Sequence, residues 1–212
     1  RCLRGMKKEE AMKYSIIIAT KNGLEHTAKC LASVFSFTKD FELIIVDGNS
    51  TDGTKGYLQE IKARKENLKV ISLAEEKTFA QANNIGLAQA EGEYIVFLNN
   101  DTIVNDGWLD KLQEHFVNIP LKNLGMIGPV SNSSNGKQSV GVQDPKAWYG
   151  QQKGRWSHVG RLYGWCLFTR KDLLDKIGGF DERFINSHED NDLCLRFQLA
   201  GYQLAVAYDT YI

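Results

Sequence analysis

An α/β fold on a mostly parallel, doubly wound, Rossmann-like sheet is predicted by three features of this sequence. Short β-branched runs alternate with segments of helical periodicity, and strands joined through helices need the crossover connections of a parallel sheet. The runs are mostly apolar, and one is so over five successive residues, as suits a strand covered on both faces. One of them, Tyr94 to Leu98, ends in Asn99-Asn100-Asp101-Thr102, a set of polar, metal-capable side chains placed where open α/β sheets bind ligands.

Each element follows from its own pattern. Tyr14 to Ala19 is a β-branched strand, followed by Leu24, Ala28, Leu31 and Phe35 at helical spacing. Phe41 to Val46 is a second strand ending at Asp47; the cluster from Gly48 to Gly53 then leads into a helix carrying Leu58 and Ile61. Leu68 to Leu73 is the third strand, and a helix from about Phe79 to Ala90 precedes the strand at Tyr94. Trp108, Leu112 and Phe116 make an i, i+4, i+8 helix face, and Leu124 to Val130 is again strand-like. Ser131 to Gly160 breaks the pattern as a long loop whose Trp148, Tyr149 and Trp156 suit a ligand-facing surface or packed core. Arg161 to Thr169 reads as a strand, Lys171 to Ile177 as a helix closed by Gly178-Gly179, Glu189 to Ala200 as a helix ended by Gly201, and Gln203 to Tyr208 as the last strand.

The composition narrows the function classes. With 212 residues, 42% hydrophobic and 25% charged, the chain suffices for one large domain without a metal or disulfide staple. Twenty-six basic and 26 acidic residues cancel, so no global field draws nucleic acid or anionic membrane, and an anionic ligand must be recognised locally. Cys2, Cys30, Cys166 and Cys194 show neither zinc-site nor disulfide-framework spacing, which points to a reducing, cytoplasmic compartment. No apolar run reaches the length of a membrane span.

The familiar nucleotide motifs fail. Thr20-Lys21-Asn22-Gly23 lacks the dinucleotide G-x-G-x-x-G turn. Gly48 to Lys55 has P-loop glycine spacing, but its Lys and Thr are exchanged, and Asp47 and Asp52 oppose phosphate; Asp52 also stands where an EF-hand needs glycine. Asp47 at a strand end can instead accept hydrogen bonds from a ribose hydroxyl or a base N–H. Asp101, one strand end away, can share Mg²⁺ or Mn²⁺ with a diphosphate. That division of labour suits a nucleotide-sugar site, although Asn-Asn-Asp-Thr also suits a plain turn and helix cap.

Five stretches in order carry a resemblance: Ser15 to Thr20, Ile44 to Thr54, Phe79 to Gly86, Tyr94 to Thr102 and His188 to Arg196. Together they resemble the family 2 glycosyltransferases, over nearly the whole chain. The resemblance implies the GT-A fold, a nucleotide-diphosphate sugar donor, a divalent metal (Mn²⁺ or Mg²⁺) and inversion at the anomeric carbon. It implies that Ala19, Thr20 and Asp47 hold the nucleoside, that Asn100 and Asn84 contact the donor, and that Asp101 is the metal ligand. Asn99 replaces the first carboxylate of the family's D-x-D motif, as in rhamnosyltransferase-like members. Many relatives carry a metal-binding His just after the last strand, where this sequence stops at Ile212; weak metal binding without donor is therefore expected.

Inversion by single displacement needs one carboxylate to take the acceptor's proton. Glu189-Asp190 matches the family's E-D motif, with Asp190 as base and Glu189 orienting the acceptor. Asp192 is expected only to pair with Arg196 at i, i+4. Acceptor contacts are expected from Trp165, Phe180 and Trp156, with core packing as the rival for Trp165 and Phe180. Residues 1–13 are expected to be a charged extension and 14–212 one GT-A domain. Its donor half is residues 1–105 and its acceptor half 106–212, within a longer protein that works in the cytoplasm, at the inner membrane face if anchored there. The expected partners are the nucleotide sugar and a glycan or lipid-linked acceptor; the rival function is a non-catalytic sugar-binding module.

Overall fold

The computed structural model describes residues 13–141, 151–185 and 187–212. Most of the expected extension, with Trp148 and Tyr149, lies outside the described residues. The elements in order are β1 (Tyr14–Thr20), α1 (Leu24–Phe37), β2 (Phe41–Asp47), α2 (Thr54–Lys62), β3 (Leu68–Ser72), α3 (Phe79–Leu87), β4 (Tyr94–Leu98) and α4 (Trp108–Asn118). There follow β5 (Leu124–Val130), a 3-10 turn (Gly136–Gln138), β6 (Trp156–Val159), β7 (Cys166–Arg170), α5 (Lys171–Ile177), α6 (Glu189–Leu199) and β8 (Gln203–Tyr211).

They form one eight-stranded sheet in the order β3-β2-β1-β4-β7-β5-β8-β6. β1 to β4 pair in parallel, as the crossover helices dictate, and β5 pairs in parallel with β8. β7 runs against both of its neighbours and β6 against β8. β6 lies inside the stretch expected to be loop, and β7 begins only at Cys166, since Arg161 to Trp165 form a connection that ends in a turn.

The period-two alternation of side chains divides the core into two layers. Ile16, Ile18, Leu43, Ile45, Val96 and Leu98 pack beneath α1, α2 and α4, around the fully buried Trp108. Ile17, Ile44, Ile95 and Phe97 face α3, α5 and α6. Gly86 lets α3 close onto β1, because a Cβ there would stand 2.5 Å from the Ile17 methyl. Burial of this kind, worth ~1.5–3 kcal/mol per large apolar side chain, fixes the strand ends that carry the polar residues.

Candidate active site

The site is built where β1, β2 and β4 end side by side. Asp47, the last residue of β2, is fully buried and both carboxylate oxygens accept from the Ser50 N–H, at 3.3 and 3.4 Å. The loop after β1 is stitched to the loop after β2: the Asn22 N–H donates to Ser50 Oγ at 2.7 Å and the Thr51 N–H to Asn22 Oδ1 at 2.8 Å. Asn22 is left-handed at φ 60°, which its short polar side chain tolerates.

Asp52, discounted above as a phosphate ligand, ties the same two loops. Its carboxylate accepts from the Thr54 hydroxyl at 2.6 Å, the Thr54 N–H at 3.1 Å and the Leu24 N–H at 3.1 Å, capping the starts of α2 and α1. The Thr54 hydroxyl, followed by the backbone donors, holds this carboxyl down at about 2.

Asn100 joins the strand-four loop to β1. Its amide donates to Thr20 Oγ1 at 3.0 Å and Thr27 Oγ1 at 2.9 Å, and those hydroxyls are 3.1 Å apart. The nitrogen of Asn100 is thus spent on positioning, which leaves only its carbonyl oxygen for a donor. Asp101 is exposed and stands on the wall of a cavity of about 610 Å³, with Asn99, Asn132, Ser133, Trp165 and Tyr211. Ser131 to Ser133 and the end of β8 were not anticipated as cavity walls; the polar cluster directly after the β5 strand was the one available signal.

Asp190 reaches this cavity through the backbone. Its Oδ2 accepts from the Gly164 N–H at 2.9 Å and its Oδ1 from the Asn191 N–H at 2.7 Å. A Cβ on Gly164 would sit 3.2 Å from the Asp190 Cβ, so little more than hydrogen fits between them. The next residue, Trp165, gives its carbonyl to the Asn99 N–H at 2.9 Å, and its indole N–H donates to Ser134 Oγ at 3.1 Å. The Asn99-Asn100-Asp101 stretch and Asp190 are therefore held on either side of Gly164-Trp165. Glu189 precedes it in the first turn of α6, partly exposed. Asp192 pairs with Arg196 at 2.7 Å, and Arg196 also donates to the Gly179 carbonyl at 2.7 Å.

Three expected contacts fall elsewhere. Phe180 is 3% exposed and packs its ring against Phe97 and Phe79, at 4.8 and 5.6 Å between centroids; it is core, not an acceptor platform. The Asn84 amide is taken up by that same turn, donating to the Phe180 carbonyl at 2.8 Å and accepting from the Phe180 N–H at 2.9 Å. Trp156 lies on β6 against a separate cavity of about 440 Å³ with Lys111, His115 and Asp209. There His115 Nε2 is 2.6 Å from Asp209 Oδ1; burial alone would raise the Asp209 carboxyl, but bonds from His115 and the Gly154 N–H outweigh it and hold it low.

The oxygen chemistry at Asp101 suits a hard divalent cation. Asn99, on the same wall, has a buried Oδ1 without a hydrogen-bond partner among the described residues, and Mg²⁺ or Mn²⁺ takes few protein oxygens when a substrate diphosphate completes its shell. Among the described residues no group of three His, Cys, Asp or Glu side chains forms a self-sufficient cage. Neither is any helix long and apolar enough to cross a membrane.

Known proteins share this fold. The structure resembles the mannosyltransferase PcManGT from Pyrobaculum calidifontis, solved with GDP-Man and Mn²⁺. The TM-score is 0.74 at 18% identity, over 96% of this chain and 56% of that one, which shows the GT-A fold. In sequence it is 26% identical to the glycosyltransferase AglE of Haloferax volcanii over 92% of its own length, and 28% identical to a beta-monoglucosyldiacylglycerol synthase of Nostoc over 90%. The chain spans 64% of the first and 42% of the second. Residues 15–178 match the family described as Glycosyl transferase family 2, and the chain belongs to that family.

Proposed function

We propose that the chain is the catalytic domain of an inverting, metal-dependent glycosyltransferase that moves a sugar from a nucleotide-diphosphate sugar to an acceptor hydroxyl, in surface glycan synthesis. The observation that carries this reading is the Gly164-Trp165 bridge, which ties Asp190 to the wall that bears Asp101. Asp47, with the Ala19-Thr20 end of β1, holds the nucleoside, as a buried carboxylate acceptor suits ribose or base donors. Asp101 would hold Mn²⁺ or Mg²⁺, assisted by the side-chain oxygen of Asn99, unpartnered among the described residues, while the carbonyl oxygen of Asn100 meets the donor. When bound, the cation neutralises charge developing on the departing diphosphate.

Asp190 takes the proton from the acceptor hydroxyl as that oxygen attacks the anomeric carbon and the bond to the diphosphate breaks on the opposite face. The Gly164 N–H accounts for the aim of this carboxylate: one oxygen is held, and the side chain is kept from turning away. Glu189 orients the acceptor, and Trp165 offers it an indole edge. The relatives' names, which include an O-antigen biosynthesis protein and a teichoic acid polymerase, support the surface-glycan setting. The buried free thiols of Cys30, Cys166 and Cys194 support a cytoplasmic site of action.

A panel of nucleotide sugars incubated with the chain and Mn²⁺ tests the reading. Release of nucleoside diphosphate from one donor, stopped by chelation, is the expected result. Donor binding without turnover would favour a sugar-binding module, and failure of UDP, GDP and dTDP sugars alike to bind would reject both.

A further inference from the structure

Beside the proposed base lies a cavity of about 450 Å³ that the transfer chemistry does not use. Its lining includes Lys137, His158, Arg161 and Tyr163 over a floor of Val159 and Val206, with no carboxylate among the described lining residues. The chain as a whole is neutral, so a wall of one sign is a local arrangement rather than a reflection of net charge.

Among the described residues neither cation is bonded to an acid, though the Asp190 carboxylate acts on Arg161 through space. Lys137 Nζ donates to the His158 carbonyl at 3.0 Å, and the Arg161 guanidinium lies 4.4 Å from the Tyr163 ring centre, bonded to its hydroxyl and to Asn191 Oδ1 at 3.4 Å. Neither cation makes an ion pair among the described residues, although ion pairs are plentiful elsewhere on the surface. Tyr163 and Asn191 hold the guanidinium in place with neutral groups, and its charge is met only through space, by Asp190.

The cavity also adjoins the chemistry. Asn191 follows Asp190, and Tyr163 precedes Gly164, whose N–H donates to Asp190. A group seated against Arg161 therefore belongs to a molecule whose hydroxyl lies beside the base, which is the acceptor. Guanidinium forks pair with phosphate or carboxylate, and a nearby ammonium adds a point charge.

We infer that the acceptor carries an anionic group, a phosphate or a carboxylate, which docks in this cavity against Arg161 and Lys137. The inference rests on the transferase reading and adds to it the chemical class of the acceptor.

Calorimetry with glycerol 3-phosphate, glucuronate and methyl glucoside, on the chain and on its Lys137→Ala/Arg161→Ala variant, tests it. At least one of the two anions is expected to bind saturably, less tightly as salt is added, and about tenfold more weakly to the variant; methyl glucoside is expected not to distinguish the two proteins. Preference for glycerol 3-phosphate identifies a phosphate acceptor, and preference for glucuronate a uronate one. Binding of neither anion, or binding unchanged in the double variant, overturns the inference. Nucleotide-sugar affinity measured in the same samples separates the two claims. A chain that binds donor but neither anion loses only this inference; a chain that binds no donor loses the transferase reading and this inference with it.

Discussion

At the ends of β1 and β2 the polar side chains are bonded to one another, whereas beside β6 the cations Lys137 and Arg161 line a cavity without an ion pair among the described residues. On the first side Asp47, Ser50, Asn22, Thr20, Thr27 and Asn100 form a continuous set of hydrogen bonds across three strand ends, with Asp52 tying Leu24 to Thr54 beside it. On the second, Arg161 and Lys137 bond to hydroxyl, amide and carbonyl groups alone. The difference teaches how one fold divides its labour. On the proposed reading the nucleotide sugar meets an internally satisfied cradle, and the acceptor meets cations held in place by neutral groups.

Four substitutions can break or sharpen that contrast. Asp47→Ala removes a buried acceptor and leaves the Ser50 N–H unsatisfied; nucleotide affinity should fall at least about tenfold by calorimetry, and an unchanged affinity would place the nucleoside elsewhere. Trp165→Ala should slow transfer roughly tenfold by loosening the wall between Asp101 and Asp190, while Trp156→Ala, at its separate cavity, should stay within about twofold. Equal effects of the two tryptophans would dissolve the distinction between the cavities.

The smallest effect concerns Asp52. Its folded carboxyl, held at about 2 by Thr54 and the backbone donors, lies below the ordinary 3.8, so its bonds stabilise the fold above about pH 4 and are lost as pH falls toward 2. Asp52→Asn should therefore lower Tm near neutrality and converge with the parent protein at pH 2. A constant offset across that range would mean that the charge of Asp52 does not matter.

Much of the donor side was legible because its signals are local. β-branched runs mark β1, β2 and β4, and polar residues follow directly at their ends, so Asp47 and Asp101 could be placed from sequence alone. The acceptor side depends on contacts between distant residues. Nothing near Phe180 states that its ring meets Phe97 and that Asn84 grips its backbone from 96 residues away. β7 carries an ordinary apolar run, and its reversed direction is set by its position between β4 and β5 rather than by its composition. β6 is four residues long and mixes Trp, Ser, His and Val, too short for a period to show. The Gly164-Trp165 bridge was invisible for the same reason: a glycine reveals its purpose only once Asp190 lies against it.

The central claim is that Asp190 acts as the base of a direct displacement, and Asp190→Asn tests it most directly. The amide oxygen can still accept from the Gly164 N–H, so the bond to Gly164 persists while the proton acceptor, and the second bond from the Asn191 N–H, are lost. Turnover with the preferred nucleotide sugar should fall by roughly 10²–10⁴ with donor affinity nearly unchanged; an Asp190→Asn protein that transfers sugar at the parent rate would contradict the account.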